Sequence, residues 1–566
     1  MSAPSGALPH LIVAPVLLPL VTAAALLLIS ESRHHLKAIV SVIATIAGLV
    51  VTATLLERVD AGGGPAAIGV YMPSNWAAPF GIVLAIDRVA ALMLVLTGVV
   101  SVAAALFGAA RWDRAGVHYH TLFQIELVGV NGAFLTGDLF NLFVFFEVML
   151  AASYALLLHG SGTMRVRAGL KYIAFNLVAS SLLLVGIAIV YGVTGTLNFA
   201  DIARKIPQIP VSDRGLLHAG AAILGIAVVA KAAMWPLNFW LAAAYSAAAA
   251  PVAAVFVILT KVGVYTLLRL WTLLLSAEPG TSTAFGSEAL VIGGLATLGF
   301  GAIGMLASQQ LRRVAAYSLI ISSGTSLAVI GVGDAPLIGA ALFYLTGSTL
   351  ASGALYLLAE LIERSREIDL APPIREHESD RLPFRLERRE PISAPAGADA
   401  RPGVAIPAAT SFIGLGFVAC ALMIAGLPPL AGFIAKFAML GALLEPAAAV
   451  TAARHAGAAT MRTALFASLL ASGLLSTIAL SRTGVRHFWM PHDRAPPRLR
   501  VIECVPIALL LAMCGALAVF ADPVLRYTRD AAHELVDPAR YIDAVMSAPV
   551  VPGAADDAAI RSGSLQ

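Results

Sequence analysis

The chain has 566 residues, of which 59% are hydrophobic and only 12% are charged. Soluble domains are about half apolar and a quarter charged, and their cores stop growing beyond a few hundred residues. The composition therefore excludes an ordinary soluble protein and indicates that most of the surface faces lipid. The basic residues behind the net charge of +4 lie in short loops, which indicates orientation in a membrane and no nucleic-acid partner.

Apolar runs of roughly 20 residues, the length that crosses a bilayer, recur along the whole chain. They predict an all-α polytopic membrane protein with about 14 transmembrane helices. The predicted spans, numbered 1 to 14 in chain order, are 8–30, 38–56, 82–108, 120–137, 139–158, 170–193, 217–242, 247–272, 287–307, 314–333, 336–361, 404–442, 462–481 and 502–522.

Lysine and arginine are concentrated in the loops that follow the odd-numbered spans. Positively charged loops remain in the cytoplasm, so we expect a bacterial inner-membrane protein with both termini outside. A charged, proline-rich stretch at 362–403 predicts a solvated cytoplasmic loop. The tail from about residue 523 carries a mildly amphipathic run with Tyr527 and Tyr541, and we expect it to lie along the membrane surface or on a partner.

Prolines interrupt two of the predicted spans. Pro236 lies in span 7, within KAAMWPLNFW, and Pro428 and Pro429 lie in span 12, within GLPPLAGF. Proline removes a backbone hydrogen bond, and in lipid the freed carbonyl groups need protein partners or a water-filled cavity. The sequence therefore predicts broken helices 7 and 12, with ordinary proline kinks as the alternative.

The two predicted breaks are five spans apart, and an odd number of spans reverses the orientation of a repeat. Spans 4–8 and 9–13 are therefore interpreted as two inverted five-helix repeats, an architecture that places an ion path at the breaks. The predicted segments are an N-terminal part at 1–118, a first repeat at 119–272, a second repeat with the loop at 273–482, and a last span with the tail at 483–566.

Lysine is rare in this chain, which makes its positions informative. Only six of the 37 basic residues are lysine, and Lys231, Lys261 and Lys436 fall inside spans 7, 8 and 12. Arginine stays charged in proteins, whereas a buried lysine can both gain and lose its proton. Lysine at these three positions is the choice that a proton relay requires.

Glu147 lies in the middle of span 5, within FNLFVFFEVML. A lone charge at the bilayer centre costs at least about 2.5–3.5 kcal/mol, so Glu147 and Lys231 are predicted to stabilise each other as a pair. Burial favours the neutral amine and a neighbouring carboxylate favours the ammonium. Movement of Lys231 away from Glu147 would then release a proton, and an inert buried salt bridge is the alternative.

Other polar residues are secondary candidates. Asp138 and Asn141 at the start of span 5, and Ser322 and Thr325 in span 10, could extend a polar path, although capping and helix packing are alternatives. Glu126 in span 4 is expected near the membrane edge. The sequence holds no phosphate-binding loop, dinucleotide fingerprint or paired cysteine motif. We therefore expect no cofactor, no metal and no enzymatic activity.

Four segments carry recognisable motifs: GAFLTGDLFNLFVFFEVMLAASYALL at 132–157, KAAMWPLNFWL at 231–241, LTKVGVYTLLR at 259–269 and GLPPLAGFIAKFAML at 426–440. Together they resemble the antiporter-like subunits. This family includes the proton-pumping membrane subunits of respiratory complex I and the A and D subunits of Mrp-type cation/proton antiporters. The segments GDLFNLFVFFEV and FADPVLRYTRDAAHELVDPARYIDAV are similar to the D subunits in particular, of the type also called Pha.

The resemblance implies exchange of protons for Na⁺ or K⁺, driven by the proton motive force, within a complex that also contains the A/B, C, E, F and G subunits. It places the family's ionisable residues at Glu147, Lys231, Lys261 and Lys436. The chain departs from its relatives at Gly347, where many have histidine, and at Ser322, where many have histidine or glutamine. After FWL many relatives have a proline and an acidic or small residue, whereas this chain continues with AAAYSAAAAP. The resemblance therefore implies a central path that depends more on water and hydroxyl groups.

Two other functions are compatible with these residues. A proton-pumping subunit of an NADH:quinone oxidoreductase or membrane hydrogenase would use the same relay residues. A structural scaffold without conduction is disfavoured by the three lysines inside the spans.

Overall fold

The computed structural model describes residues 8–62, 68–274, 285–370, 408–445, 457–489 and 499–549. These residues form 19 α-helices and a two-stranded antiparallel sheet, β1 (Gly69–Tyr71) and β2 (Leu84–Ile86). The helices are α1 (Leu8–Leu28), α2 (His34–Ala61), α3 (Arg88–Ala109), α4 (Tyr119–Leu135), α5 (Leu139–Leu158), α6 (Thr163–Thr194), α7 (Phe199–Lys205), α8 (Val211–Lys231), α9 (Phe239–Ala247), α10 (Ala250–Leu274), α11 (Ser287–Ala307), α12 (Leu311–Val332), α13 (Ala335–Leu370), α14 (Ala408–Ala425), α15 (Ala431–Leu444), α16 (Ala458–Gly484), α17 (Val501–Val519), α18 (Ala521–Val536) and α19 (Ala539–Met546).

Thirteen helices in the described part of the chain are long and apolar enough to cross a membrane. They correspond to every predicted span except the fourth, which is the 17-residue helix α4. Span 7 is divided between α8 and α9, and span 12 between α14 and α15. The prediction of an all-α multi-pass membrane protein with broken helices 7 and 12 is confirmed.

The interior of the bundle is built from a few central helices. In the apolar stretches of α10 and α13, 100% of the residues are buried, and in that of α12, 94% are buried. In the apolar stretch of α2, only 22% of the residues are buried. Peripheral helices such as α2 therefore present apolar side chains to lipid, and polar groups on α10, α12 and α13 are shielded by neighbouring helices. Two of the polar candidates, Lys261 and Ser322, lie on these central helices.

Arginine residues gather at one end of the bundle. A cavity of about 850 Å³ there is lined by Arg111, Arg165, Arg312 and Arg364, with Glu360 also on its wall. The first three of these arginines come from the loops or helix starts that follow spans 3, 5 and 9, so those loops share one side of the protein. We refer to this side as the arginine-rich end.

The C-terminal helices α18 and α19 pack back onto the opposite end of the bundle. The apolar face of α18 buries Ala531, Ala532 and Leu535, and Tyr541 of α19 is only 5% exposed. An ion pair joins Glu534 to Arg88 at the start of α3. The apolar face of the tail is therefore covered by its own chain up to residue 549, and its placement along the membrane surface or on a partner stays a prediction.

The predicted cytoplasmic loop begins later than expected. Helix α13 continues to Leu370, so residues 362–370 are helical, and the remainder of the predicted loop, 371–403, lies outside the described residues. Near this end of the helix, Glu363 pairs with Arg312 at 2.7 Å and Arg364 pairs with Glu503 at 2.7 Å.

A buried ion pair fixes the end of the bundle opposite the arginine-rich end. Arg269 of α10 holds Asp87 with both terminal nitrogens, at 2.6 and 2.7 Å. Asp87 also caps α3 by accepting the Ala90 N–H at 2.9 Å. The Tyr541 ring lies 5.2 Å from the Arg269 guanidinium carbon. This cluster joins α3, α10 and the C-terminal tail.

Arg269→Ala is expected to lower the free energy of unfolding by roughly 3–5 kcal/mol, because it leaves the Asp87 carboxylate buried without its partner. Thermal unfolding of the detergent-solubilised protein measures the change. Arg526→Ala is the matched control, since Arg526 pairs with Asp522 on an exposed face of α18 and exposed pairs contribute little. Equal midpoints for the two variants would contradict a structural role for the Arg269–Asp87 pair.

Candidate functional site

The first helix break lies between Lys231, the last residue of α8, and Phe239, the first residue of α9. At the break the Met234 N–H donates to the Val229 carbonyl at 3.0 Å. The Trp235 N–H donates to the Thr297 hydroxyl of α11 at 2.8 Å. Backbone groups freed by the break are thus satisfied by protein, as a break at membrane depth requires.

Helix α10 lies directly against this break because of a glycine. A Cβ at Gly263 would lie 2.7 Å from the Ala232 nitrogen and 3.0 Å from the Lys231 carbonyl carbon. Any larger side chain at this position would push α10 away from the end of α8. Gly263 therefore sets the close approach of the helix that carries Lys261 to the end of α8 that carries Lys231.

Lys231 is 4% exposed, and its Nζ donates to the Ser180 hydroxyl of α6 at 2.9 Å. The amine also lies 5.0 Å from the centre of the Phe146 ring, a favourable cation–π arrangement. Glu147 follows Phe146 directly in α5, but no acidic oxygen of the described residues lies within 4.0 Å of the amine. The direct partner of Lys231 is thus a hydroxyl group.

Lys261 is completely buried on α10. Its Nζ donates to the Ser322 hydroxyl at 2.6 Å, and Ser322 in turn lies 2.8 Å from the Ser348 hydroxyl of α13. The Tyr344 hydroxyl interacts with Ser322 and Thr325. Lys261 is therefore the end of a short hydroxyl network that joins three central helices.

Lys436 lies at the second break, between α14 and α15. Its Nζ donates to the Ala425 carbonyl at 2.7 Å and to the Ile424 carbonyl at 3.4 Å, the last carbonyls of α14. Gly426 follows with a φ of +76°, and a Cβ there would lie 2.4 Å from the Lys436 Cδ. The break thus supplies carbonyl partners to the amine, and a glycine provides the space for its side chain.

The two breaks share a local backbone arrangement. A residue with positive φ, Ala233 at 58° or Gly426 at 76°, follows the last helical turn. The next N–H then donates to a carbonyl five residues earlier, from Met234 to Val229 at 3.0 Å and from Leu427 to Leu422 at 2.9 Å. The inverted five-helix repeats stay a prediction, and this local similarity agrees with them.

The secondary candidates fall into two groups. Asp138 caps α5 by accepting the Asn141 N–H at 2.8 Å, and the Asn141 amide donates to the Thr136 hydroxyl at 3.0 Å. These contacts hold the start of α5 and include none of the three lysines. Ser322, in contrast, contacts Lys261 directly, and Thr325 lies within the same hydroxyl network.

Glu126 is fully covered by neighbouring residues. It is 0% exposed on α4, and its expected position near the membrane edge stays a prediction. Neither carboxyl oxygen has a hydrogen-bond partner among the described residues.

Several partners of the lysines could not be chosen from the sequence. Ser180 and Ser348 look like the many serines that allow helices to pack closely, and nothing in their spacing alone identifies a lysine partner. Within the described residues, no group of three or more His, Cys, Asp and Glu side chains could hold a metal ion. The amines and hydroxyl groups at the site can exchange protons with one another.

Comparison with known proteins places this arrangement in a family. Residues 136–380 match the family described as NADH:quinone oxidoreductase/Mrp antiporter, transmembrane. The D subunit of a probable K⁺/H⁺ antiporter from Rhizobium meliloti is 47% identical over 544 residues, covering 96% of this chain and 98% of the relative. The D subunit of the Na⁺/H⁺ antiporter from Bacillus subtilis is 31% identical, covering 95% and 99%.

The chain belongs to the family of antiporter D subunits. A chain of the Mrp complex from a Dietzia species has the same fold, with a TM-score of 0.76 and 25% identity, covering 95% of this chain and all of the other. A chain of respiratory complex I from Thermus thermophilus also shares the fold, with a TM-score of 0.69 and 19% identity, covering 94% and 99%. The resemblance inferred from the sequence motifs is confirmed.

Gly426→Ala is expected to destabilise this antiporter protein at the second break. Alanine at a positive φ costs roughly 1–3 kcal/mol, and its methyl group would also displace the Lys436 side chain. Thermal unfolding of the purified protein measures the loss. Gly441→Ala is the control, since a Cβ at Gly441 in α15 meets nothing within 4 Å. If Gly426→Ala were as stable as Gly441→Ala, the break would not depend on the glycine.

Proposed function

We propose that this protein carries protons across the membrane in a multisubunit antiporter that exchanges cytoplasmic Na⁺ or K⁺ for external protons. The observation that carries the proposal is the setting of the three lysines. Lys231, Lys261 and Lys436 are 4%, 0% and 8% exposed, and none has a carboxylate oxygen of the described residues within 4.0 Å. Each amine can therefore release its proton without breaking a direct ion pair.

Hydroxyl and carbonyl partners suit a group that changes its protonation state. A lysine held in a tight ion pair loses a large attraction when it deprotonates, whereas a hydroxyl group can accept from an ammonium and donate to an amine. Ser180 and Ser322 give Lys231 and Lys261 such partners. Intramembrane ionisable residues mark ion and proton pathways more often than structural contacts.

We assign a different step to each residue. Glu147 adjusts the proton affinity of Lys231 through its charge at longer range, and Lys261 passes the proton between the two halves of the protein. Lys436 is the relay on the exit side, where the break leaves the last carbonyls of α14 free to accept from its amine. In this proposal residues 119–272 and 273–482 are the two inverted repeats, joined by α10 at their boundary.

The arginine-rich end is the cytoplasmic end in this proposal, since basic loops remain in the cytoplasm. Both termini then lie outside the inner membrane. The relatives named as antiporter D subunits and the likeness to a chain of an Mrp complex support assembly with the A/B, C, E, F and G subunits. In this division of labour the present chain supplies the proton path, and other subunits supply the path of the Na⁺ or K⁺ ion.

A proton-pumping subunit of a redox complex is the second candidate. Its relay residues would be the same, and the complex I chain shares the fold. The full-length relatives at 47% and 31% identity are named as antiporter subunits, which favours antiport. Neighbouring genes for small antiporter subunits, in place of flavin or iron–sulfur subunits, would separate the two functions.

Cation-induced collapse of a proton gradient in everted vesicles tests the proposal. The complete operon is expressed in a host without antiporters, with wild-type protein, Lys231→Ala or Lys171→Ala, and the amount of assembled complex is matched. Lys171 is an exposed lysine on α6 and provides the control. We expect Na⁺ or K⁺ to collapse the gradient with wild-type protein and Lys171→Ala, and not with Lys231→Ala.

Two results would contradict the proposal. No response to either cation with an assembled wild-type complex would overturn antiport and direct attention to redox-driven pumping. A full response with Lys231→Ala would show that protons bypass this amine.

A further inference from the structure

A stripe that winds along α13 carries a polar residue at every fourth position. The five residues are buried, apart from the half-buried Ser348. A step of four residues turns an α-helix by only about 40° beyond a full rotation, so the five side chains follow one stripe along the helix. We call this stripe the α13 ladder: Tyr344, Ser348, Ser352, Tyr356 and Glu360.

The inner part of the ladder is connected to Lys261. Ser348 lies 2.8 Å from the Ser322 hydroxyl, and Ser322 accepts from Lys261 at 2.6 Å. One turn further along, the Ser352 hydroxyl lies 3.4 Å from that of Ser318. The serines of α12 and α13 thus form paired hydroxyl groups that begin at the central lysine.

The outer part of the ladder ends at the cavity of the arginine-rich end. Glu360 lines that cavity and is 5% exposed. The Trp112 indole N–H lies 2.9 and 3.0 Å from its two oxygens, and the Ala250 N–H donates to it at 3.3 Å. The Arg312 guanidinium is 3.9 Å away. A carboxylate is therefore held at the inner surface of a cavity that opens to solvent.

Tyr356 lies between these two parts. It is 0% exposed, and its hydroxyl has no hydrogen-bond partner among the described residues. A buried hydroxyl without a partner is unfavourable, so packing alone would be better served by phenylalanine. Successive ladder residues rise about 6 Å along the helix, so proton transfer between them requires bridging water.

We propose that the α13 ladder is a proton path from the cavity at the arginine-rich end to Lys261, with Glu360 as its outer proton acceptor. The path covers about 18 Å from Glu360 to Ser348, roughly half of a bilayer. It reaches the central lysine without passing through Lys231. This inference rests on the proposed antiport function and adds a route and its residues to it.

The transfer moves one proton and no electrons. A proton from the cavity binds the Glu360 carboxylate to form a carboxylic acid. That acid gives its proton to the next oxygen along the ladder. Each hydroxyl group of the ladder then accepts one proton as it releases its own. At the inner end the Ser322 O–H bond breaks, the Lys261 amine becomes an ammonium, and Ser322 is reprotonated through Ser348. Glu360 returns to its carboxylate form.

A structural role for the same residues makes different predictions. Serine pairs bring helices close together, and Glu360 could serve only to satisfy the N–H groups of Trp112 and Ala250. In that case Tyr356→Phe, which removes a hydroxyl without a partner, would leave transport unchanged. A proton path instead requires the hydroxyl itself.

The test compares exchange rates of the assembled complex in everted vesicles at saturating Na⁺ or K⁺. We expect Tyr356→Phe and Ser348→Ala each to lower the maximal rate by roughly tenfold or more, as expected for loss of a positioned proton-transfer group. The cation concentration for half-maximal rate should stay unchanged. Ser348→Thr, which keeps the hydroxyl, should retain activity. Ser323→Ala is the control, since Ser323 is a buried serine of α12 outside the network.

The outcomes separate the ladder from the antiport function. Wild-type rates for both Tyr356→Phe and Ser348→Ala, in a complex that exchanges cations, would overturn the ladder and leave antiport intact. An assembled wild-type complex that exchanges neither cation would overturn antiport, and with it the ladder. Equal losses in Ser348→Ala and Ser348→Thr would indicate packing at that position and would also contradict the path.

Discussion

Two interrupted helices at membrane depth impose the constraint on which the rest of this structure depends. A helix that stops within lipid leaves backbone groups that only protein or enclosed water can satisfy. The neighbouring helices meet this requirement: Thr297 accepts a freed N–H at the first break, and Lys436 donates to freed carbonyls at the second. Gly263 lets α10 press against the first break. The same contacts bring α10 and α11 to the first break and α15 to the second.

The ionisable groups are placed by this packing and not by mutual attraction. Lys231 and Lys261 each contact a serine hydroxyl, and Lys436 contacts carbonyls. By contrast, the buried carboxylates Asp87, Asp334 and Glu503 pair directly with arginines. The permanently charged arginines thus form structural ion pairs. The three lysines, which can change charge, are not part of those pairs. That division supports the proposal that the lysines work as proton carriers.

Much of this architecture could be predicted from the sequence, because a membrane span must be apolar and its backbone must be hydrogen-bonded internally. Apolar length marks the spans, proline marks the breaks, and lysine in an arginine-using chain marks Lys231, Lys261 and Lys436. The choice of partners could not be predicted, since a serine such as Ser180 has the same local pattern whether it packs or accepts from lysine. A direct Glu147–Lys231 pair was expected from charge alone, but the approach of Ser180 on α6 is a tertiary feature. The C-terminal tail illustrates the same limit. Its amphipathic pattern indicates that one face is covered, but it does not identify the surface that covers it.

The central claim is that Lys261 exchanges its proton during transport, and Lys261→Arg tests it most directly. Arginine keeps a positive charge and hydrogen-bond donors beside Ser322 but cannot release a proton at ordinary pH. The measurement is cation-driven proton exchange by the assembled complex, with wild-type protein and Lys261→Arg at equal complex levels. The account predicts that exchange is lost in Lys261→Arg while the complex stays assembled. Exchange at the wild-type rate would contradict it, since a permanently charged group would then suffice.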